Sequence, residues 1–347
     1  MILITGATGF LGMSLVARLL EDEDGPNIVL PVRARDRGEA LDRVEAMLAT
    51  LYDDVPASAE RLRAVPGDIL DRGLGLAPAD VRGVERVVHC AASISFTLPL
   101  PEAREINVSG TANVVELCRR LPSLERYVHV STAYVAGRSS GTFAETDFDV
   151  GQTFRNTYEQ TKWEAEYLVA RADLPTAVVR PSIVVGEAGS GWTPAFNVIY
   201  WPLQAFARGL VESVPADPRG LVDLVPIDHV VNVLQRAMEP DAENVLHAVA
   251  GEMAPSVDEL LDLTSTLLDR PRPELTDPGS DPDHPAAVFA PYFDVGVCFA
   301  DARTRAAGLV APGAPELVAS ILDYAREARW GKSPLSRQTA RARVLTA

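Results

Sequence analysis

The sequence predicts an α/β fold in which a doubly wound parallel sheet carries helices on both faces and a smaller, mainly helical lobe folds over its carboxyl edge. Two observations predict the sheet. Short, continuously apolar runs alternate with segments of helical spacing, and a glycine-rich turn follows the first run. A third observation predicts the lobe, because residues 187–222 lose this alternation and become rich in Gly, Pro and aromatic residues. The expected arrangement is Rossmann-like.

The first half of the chain supplies most of the sheet. Its first strand is MILIT (1–5), and a helix follows over 10–20, where Leu11, Leu15 and Leu19 recur at helical spacing. In the helix predicted over 37–51, Leu41, Val44 and Leu48 lie on one apolar face. Further strands are predicted at 27–33, 61–69, 84–92, 124–132 and 176–181, and further helices at 102–121 and 155–172.

The second half has too few strands for a separate sheet domain. We expect a helix near 195–209, a strand and an Asp228-capped helix within 222–239, a strand at 244–251, a Ser256-capped helix over 256–269, a loop over 270–288 and a helix over about 314–330. Residues 1–186 and about 222–250 are predicted to form the sheet domain, and about 187–221 with 251–330 the substrate-binding lobe. Residues 331–347 are predicted to be a mobile tail.

The composition argues against several classes of protein. The formal net charge is −16, which disfavours a nucleic-acid partner but is compatible with a local basic pocket. No apolar run reaches the roughly 18–20 residues of a membrane span, and the amino terminus lacks a basic signal-peptide region. Three scattered cysteines and five scattered histidines lack disulfide or metal-ligand spacing, so we expect no metal and a cytoplasmic protein. Nothing in the sequence predicts the oligomeric state.

The segment TGATGFLG (5–12) places three glycines between the first strand and the first helix. Gly6 permits a tight turn, Gly9 lets the backbone approach a pyrophosphate, and Gly12 lets the helix pack closely on the sheet. The amino terminus of the following helix attracts the phosphates. This context predicts a dinucleotide site that includes Gly6, Thr8, Gly9, Phe10, Leu11 and Gly12.

The end of the second strand indicates which dinucleotide binds. An NAD site usually has an acidic residue there, but the sequence LPVRAR has Arg33 and Arg35 and no acid before Asp36. A guanidinium suits a 2′-phosphate, so we predict NADP(H), bound through Arg33 and Arg43. Four residues after the third and fourth strands are added to the cofactor site: Asp68, Ile69, Ala91 and Ala92. Asp68 is equally compatible with a turn-capping role, and the two alanines with packing.

The segment FRNTYEQTKWEAE (154–166) places Tyr158 and Lys162 on one face of a predicted helix. The chain has eight tyrosines but only two lysines, Lys162 and Lys332, so chance predicts roughly 0.05 such pairs. A neighbouring ammonium lowers the pKa of a phenol, which makes Tyr158 a candidate proton donor and acceptor near neutral pH. Lys162 is also expected to bind the nicotinamide ribose.

Other candidates follow predicted strands or lie on a helix. Ser131 and Thr132 end the fifth strand, and one of these hydroxyls is expected to bind the substrate oxygen. Asn107 is compatible with holding a proton-relaying water or with bridging backbone groups. Pro181 and Ser182 follow the sixth strand and are expected to flank the nicotinamide ring.

Together these segments resemble the extended short-chain dehydrogenase/reductase superfamily. The resemblance covers about residues 1–186 and runs through TGATGFLG, HCAASISF, INVSGTANVVELC, VHVSTAYVAG, YEQTK and RPSIVVG, with a weaker echo in DLVPIDHVVNVL. Within the superfamily, the VRAR, SISFTLP and FRNTYEQTKWEAE segments resemble the branch that contains thioester reductase domains and the male sterility-type fatty acyl-CoA reductases.

This resemblance implies NADPH-dependent reduction of an acyl thioester to an aldehyde, with further reduction to an alcohol left open. It implies that Tyr158 protonates the developing oxyanion, that Thr132 rather than Ser131 orients it, and that Lys162 tunes Tyr158. The sequence shows no adenylation or carrier region, so the acyl group is expected on coenzyme A or on a separate carrier protein. The apolar segment 191–210 is equally compatible with lining a hydrophobic pocket and with packing.

Three other functions stay open at this point. They are a ketone/alcohol oxidoreductase resembling hydroxysteroid or flavonol-type reductases, a sugar-nucleotide epimerase or dehydratase, and a non-catalytic NADP-binding regulator. An epimerase predicts basic residues aimed at a diphosphate, for which Arg208 and Arg219 are candidates between apolar flanks. A regulator has no need of Thr132, Tyr158 and Lys162.

Overall fold

The computed structural model describes residues 1–277 and 295–346. Its strands in chain order are β1 Ile2–Thr5, β2 Ile28–Val32, β3 Leu62–Pro66, β4 Arg86–His89, β5 Arg126–Val130, β6 Gly141–Phe143, β7 Thr176–Pro181, β8 Ile183–Val185, β9 Ser213–Pro215, β10 Leu224–Pro226, β11 Val245–Ala248, β12 Glu274–Thr276 and β13 Val297–Phe299. Its helices are α1 Phe10–Leu20, α2 Arg37–Leu51, α3 Leu100–Arg104, α4 Gly110–Arg119, α5 Thr157–Ala170, α6 Tyr200–Ala207, α7 Ile227–Ala237, α8 Val257–Leu268, α9 Ala302–Ala306, α10 Ala314–Glu327 and α11 Arg337–Val344.

Seven parallel strands form the main sheet in the order β11-β7-β5-β4-β1-β2-β3. The order reverses at β1, which pairs with β2 on one side and with β4 on the other. Ligands of doubly wound sheets bind outside the carboxyl ends of the strands at such a reversal. The fold therefore places the candidate site where the chain leaves β1 and β4, as the glycine motif predicts.

The sheet forms because its strands are apolar on both faces. Along β1, Ile2 and Ile4 pack into one core and Leu3 into another, on the opposite face of the sheet. All three side chains are at most 1% exposed. Burial on both faces explains why the strands read as continuous apolar runs rather than as an alternating pattern. The predicted doubly wound α/β class is confirmed.

The described strands outside the main sheet form three short parallel pairs: β8 with β10, β9 with β12, and β6 with β13. The core of the lobe gathers apolar side chains from α6, α8 and α10, including Leu203, Leu260 and Ile321. Part of this core comes from residues just after β5, among them Tyr134. The lobe is thus packed directly against the carboxyl edge of the main sheet.

Several local predictions differ from the structure. The helix predicted over 102–121 is divided into α3, one π-helical turn over Glu105–Ser109, and α4. Leu41 is 51% exposed, because the buried face of α2 is formed by Ala40, Val44, Met47, Leu48 and Leu51.

Of the two predicted helix caps, Asp228 does not cap α7. Pro226 holds the N-cap position, and the Asp228 carboxylate accepts a hydrogen bond from the Ala188 nitrogen at 2.9 Å. Ser256 does cap α8, in a capping box with Glu259.

The carboxyl-terminal segments also differ from their predictions. The loop predicted over 270–288 contains strand β12, and its residues from 278 onward lie outside the described residues. The segment predicted to be a mobile tail contains α11, whose Arg337 is only 5% exposed. Arg337 and Arg341 bind the buried carboxylate of Glu187 in the lobe, Arg341 at 2.9 Å. These ion pairs hold the segment against the body of the protein.

Candidate active site

The glycine turn after β1 is kept free of side chains by its surroundings. Gly6 has φ +70°, and a Cβ there would lie 2.6 Å from the backbone nitrogen of Ala91. A Cβ on Gly12 would collide with the carbonyl oxygen of Gly6. Gly9 is the N-cap of α1 and provides no side-chain cap, so the first backbone N–H groups of this helix are left for another acceptor.

Two cavities adjoin at this turn. One of about 350 Å³ lies towards β2 and β3, and one of about 330 Å³ lies towards β5 and β7. Gly6, Gly9, Cys90 and Ala92 line both cavities, so the two together pass across the glycine turn. A bound dinucleotide spans this region of the fold, with its pyrophosphate at the helix amino terminus.

The first cavity brings together most of the residues predicted to bind the adenosine end. Its lining includes Gly6, Thr8, Gly9, Arg33, Arg43, Asp68, Ile69, Ala91 and Ala92. The Asp68 carboxylate also accepts a hydrogen bond from the Leu70 nitrogen at 3.0 Å, so its turn-capping role is present in the structure.

The charges at the end of β2 separate into two groups. Arg35 pairs with Glu39 at 2.8 Å, and the Asp36 carboxylate accepts a hydrogen bond from the Glu39 nitrogen at 2.9 Å as the cap of α2. Arg33 and Arg43 line the 350 Å³ cavity, and the Arg43 guanidinium donates a hydrogen bond to the Arg33 carbonyl. Both also line an adjoining open cleft of about 500 Å³, together with Arg35 and Glu39. Two guanidinium groups are therefore available at this end of the cavity, whereas the first acidic residue after β2 is engaged by α2.

The second cavity contains the predicted catalytic residues. Its lining includes Gly6, Gly9, Phe10, Leu11, Gly12, Thr132, Tyr158, Lys162, Pro181 and Ser182. Tyr158 and Thr132 hydrogen-bond through their side chains. The Thr132 hydroxyl also donates to the Pro181 carbonyl at 3.2 Å and accepts from the Tyr134 nitrogen at 3.3 Å. These contacts fix Thr132 beside the Tyr158 hydroxyl.

Burial dominates the electrostatics of the Tyr158–Lys162 pair. It raises the pKa of Tyr158 to about 12, with the Thr132 hydrogen bond opposing the rise. It lowers the pKa of Lys162 to about 8, while the Glu166 carboxylate opposes the fall. The predicted lowering of the Tyr158 pKa by Lys162 is not found in this structure. The Lys162 ammonium instead donates to the Val130 carbonyl at 2.6 Å, and burial outweighs the other influences on the phenol.

Three other predicted polar residues have protein partners. The Asn107 side chain accepts from the Ser93 nitrogen at 2.8 Å and donates to the Ser93 carbonyl and the Thr161 hydroxyl. Asn107 therefore bridges the backbone of Ser93 and the Thr161 side chain, which agrees with the bridging role that the sequence left open. Ser131 and Thr132 both line the cavity, but the Ser131 hydroxyl donates to Glu166 at 2.6 Å, whereas the Thr132 hydroxyl is bonded to Tyr158. The Ser182 hydroxyl donates to Asp223 at 2.5 Å.

The four histidines among the described residues are buried and line neither of the two cavities: His89, His129, His229 and His247. His89 contacts the Thr5 and Thr111 hydroxyls at 2.7 and 3.1 Å, and burial lowers its pKa to about 3. His129 is fully buried in β5. Within residues 1–277 and 295–346, no cluster of His, Cys, Asp or Glu has the arrangement of a metal site. In the same part of the chain, no helix is both long and apolar enough to cross a membrane.

Part of the cavity wall was not predicted. Ile94, Phe96 and Tyr134 line the second cavity beyond the catalytic residues. The Phe96 ring meets the Tyr158 ring edge-on, with centroids 5.8 Å apart. Ile94 and Phe96 lie in the SISFTLP segment that carries the family resemblance. Tyr134 is brought to the cavity only by tertiary packing, for which the sequence has no signal.

The segment 191–210 serves both of the purposes that the sequence left open. Ala195, Asn197, Val198 and Tyr200 line the cavity. Trp192 and Phe206 are buried, and the Trp192 ring packs edge-on against Phe10 of the glycine turn at 6.3 Å. The lobe therefore touches the predicted cofactor site as well as the predicted substrate site.

The parallel sheet, the glycine turn at its reversal and the Tyr-Lys helix define a member of the extended short-chain dehydrogenase/reductase superfamily, a class of nicotinamide-dependent oxidoreductases. Residues 4–234 match the family of NAD-binding domains described as male sterility protein. Because the match covers more than half of the chain, the protein belongs to this family. The family resemblance and the enzyme class predicted from the sequence are confirmed at the level of family membership.

Three comparisons illustrate the relationship. The putative fatty acyl-CoA reductase CG8306 of Drosophila melanogaster is 30% identical over 274 residues, which cover 67% of this chain and 53% of that protein. The terminal R domain from the myxalamid PKS-NRPS pathway has a TM-score of 0.77 at 24% identity, over 96% of this chain and 92% of the other. The UDP-glucuronic acid 4-epimerase of Bacillus cereus, in complex with NAD, has a TM-score of 0.69 at 18% identity, over 97% and 99%.

These similarities have different weights. Structures at 24% and 18% identity are similar in fold, and the fold is common to a reductase domain and an epimerase. The chain spans about half the length of the curated relatives it matches.

Proposed function

We propose that the protein reduces an acyl thioester to an aldehyde with NADPH, using Tyr158 as the proton donor. One observation carries the proposal: Thr132, Tyr158 and Lys162 line the same cavity as the glycine turn, and the wall beyond them is largely apolar. The fatty acyl-CoA reductases among its relatives support a thioester rather than a sugar nucleotide as substrate.

The site is compatible with a nicotinamide dinucleotide because Gly6 and Gly12 leave no room for side chains and α1 has free backbone donors at its start. Arg33 and Arg43 support NADPH over NADH, since they lie where a 2′-phosphate would be bound and Asp36 is engaged as a helix cap. Lys162 would hold the nicotinamide ribose. The bound cofactor supplies the hydride.

The Tyr158 and Thr132 hydroxyls transfer the proton and bind the substrate oxygen. When hydride adds to the thioester carbon, negative charge develops on the carbonyl oxygen, and the Tyr158 hydroxyl donates its proton there. The Thr132 hydroxyl, hydrogen-bonded to Tyr158, orients the same oxygen. The resulting hemithioacetal returns its proton to Tyr158 as its carbon–sulfur bond breaks, which releases an aldehyde and a thiolate. The thiolate takes its proton from water.

The acyl chain is proposed to lie against Ile94, Phe96 and Val198, with coenzyme A or a carrier-bound phosphopantetheine reaching in from the solvent. The burial of apolar surface favours a hydrophobic acyl group. A second hydride transfer at the same residues would convert the aldehyde into an alcohol, because Tyr158 can protonate that oxygen in the same way.

The test is to incubate the purified chain with NADPH and a series of acyl-CoA esters while following NADPH oxidation and free thiol together. The proposal expects one thiol per acyl-CoA consumed, with one NADPH oxidised for an aldehyde product and two for an alcohol. Tyr158→Phe is the negative control, and simple ketones without a thioester are the alternative substrates. NADPH oxidation with ketones, and no thiol release from any ester, would refute thioester reduction and favour a ketone/alcohol oxidoreductase.

A further inference from the structure

A buried ion pair that has no part in the proposed proton transfer lies directly behind the Tyr-Lys helix. Glu166 of α5 and Arg180 of β7 have side chains that are 4% and 1% exposed. The Arg180 Nε lies 3.0 and 3.2 Å from the two Glu166 oxygens, and its Nη2 lies 2.5 Å from Oε1. Removing two charges from water costs free energy that their mutual attraction often does not recover, so a buried ion pair is weak evidence of stabilisation. We therefore look for a role of this pair other than stability.

The Glu166 carboxylate connects α5 with the carboxyl ends of β5 and β7, around which the predicted site is built. On α5 it follows Lys162 by one helical turn. Just after β5 it accepts the Ser131 hydroxyl at 2.6 Å, and the next residue is Thr132. On β7 it binds Arg180, and the next residue is Pro181, whose carbonyl accepts the Thr132 hydroxyl at 3.2 Å. These contacts form a closed ring beneath the cavity.

The charges around Lys162 leave Glu166 as its counter-charge. Facing Lys162 are His89 and Cys90 from β4 and His129 from β5, and burial keeps all three uncharged, the imidazoles by lowering their pKa and the thiol by raising its pKa to about 12. On its own helix, burial likewise keeps Tyr158 protonated. Arg180 contacts His247 of β11 at 3.2 Å, and burial lowers the pKa of that imidazole as well. Glu166 is thus the carboxylate that favours the ammonium form of Lys162.

We infer that Glu166, held by Arg180 and Ser131, is a positioning residue that fixes the place and the charge of Lys162 together with the ends of β5 and β7. The inference deepens the proposed function and rests on it, since it gives Glu166 a role in the reaction only if Lys162 takes part. Glu166 itself lies behind the cavity and is not among the residues that line it.

The two members of the pair have opposite effects on Lys162, and this makes the inference testable. Glu166→Gln keeps a side chain that accepts from Ser131 but leaves the Arg180 charge unbalanced, so Lys162 should lose its proton at lower pH. Arg180→Met leaves the Glu166 charge unbalanced, so Lys162 should lose its proton at higher pH. Glu164→Gln is the matched control, because Glu164 lies on the same helix but pairs with Arg104 near the surface at 2.7 Å.

The scarcity of lysine allows a direct measurement. Because the sequence contains only two lysines, the NMR spectrum of protein with ¹³C-labelled lysine shows side-chain signals from Lys162 and Lys332 alone. Lys332 is exposed and serves as the internal reference. We expect Glu166→Gln to lower the Lys162 titration midpoint by about one pH unit or more, Arg180→Met to raise it, and Glu164→Gln to leave it unchanged. Unchanged midpoints in both pair variants, or shifts in the same direction, would overturn the inference.

If Arg180→Met does not yield folded protein, the double variant Glu166→Gln with Arg180→Met removes both charges. Its midpoint should lie above that of Glu166→Gln alone, and equal midpoints would overturn the pairing. The second readout is the pH profile of kcat/KM for thioester reduction, whose alkaline limb should move with the midpoint. A limb that stays in place while the midpoint moves would refute the positioning role. Failure of every variant, wild type included, to release thiol would instead refute the proposed function.

Discussion

The sharpest prediction concerns the two arginines that face the adenosine end of the cavity. Replacing Arg33 by alanine removes one of the two guanidinium groups that line this cavity, while Arg43 remains. We expect the KM for NADPH to rise and the KM for NADH to stay nearly constant, because NADH has no 2′-phosphate. The perturbation leaves the glycine turn and the Tyr-Lys helix untouched.

The expected magnitude follows from the exposure of the site. A charge-assisted hydrogen bond contributes about 1.5–3 kcal/mol. Arg33 is solvent-exposed, so the lower end of this range applies, about 1.5 kcal/mol or a tenfold rise in the KM for NADPH. The double variant Arg33→Ala with Arg43→Ala should reach roughly a hundredfold if the two side chains act independently.

The assay compares initial rates with NADPH and NADH at a saturating acyl-CoA concentration. Arg37→Ala is the matched control, since Arg37 is four residues away but pairs with Asp80 at 2.9 Å and lines neither this cavity nor the cleft beside it. It should change either KM by less than about twofold. Equal losses with both cofactors in Arg33→Ala, or an effect of Arg37→Ala as large as that of Arg33→Ala, would refute the 2′-phosphate role.

Three further predictions concern the proton donor, the lysine and the carboxyl-terminal helix. Tyr158→Phe should lower kcat by about 10²–10⁴-fold with little change in the NADPH Kd measured by fluorescence titration, whereas Tyr167→Phe on the same helix should retain activity. The value of kcat/KM should fall as pH rises through about 8, because Lys162 loses its proton there and only the ammonium form serves the proposed role; a profile that rises through this range would contradict it. Arg337→Met should lower the free energy of unfolding by about 2 kcal/mol, seen as a lower Tm, because it weakens the binding of a buried carboxylate in the lobe. Arg343→Met, on the exposed side of the same helix, should change the unfolding free energy by less than about 0.5 kcal/mol.

The sequence predicted correctly those features that depend on interactions between residues close in sequence. The glycine turn follows from backbone sterics, since Gly6 has a positive φ and neither Gly6 nor Gly12 has space for a Cβ. The strands follow from continuous apolarity, and α1 and α2 begin and end where their sequence patterns do. The Tyr158–Lys162 spacing is a property of one helix, so it needs no knowledge of the rest of the chain.

Two of the predictions that differ from the structure depend on distant parts of the chain. Asp228 is a residue type that often caps helices, but its carboxylate accepts a hydrogen bond from the Ala188 nitrogen, which belongs to a different segment. The carboxyl-terminal segment is polar enough to suggest mobility, but Glu187, about 150 residues earlier, provides its buried partner. Neither contact leaves a pattern within the segment itself.

By itself, then, the sequence determined the fold class, the glycine turn, the pair of side chains on α5 and the family. Tertiary structure alone decided that the Ser131 hydroxyl binds Glu166 while the Thr132 hydroxyl binds Tyr158, and that Tyr134 joins the cavity wall. It also decided that burial raises the pKa of Tyr158 where the sequence predicted a fall. The physical reason is that periodicity and backbone sterics act between neighbours in sequence, whereas desolvation and partner choice depend on what the whole chain packs around each group.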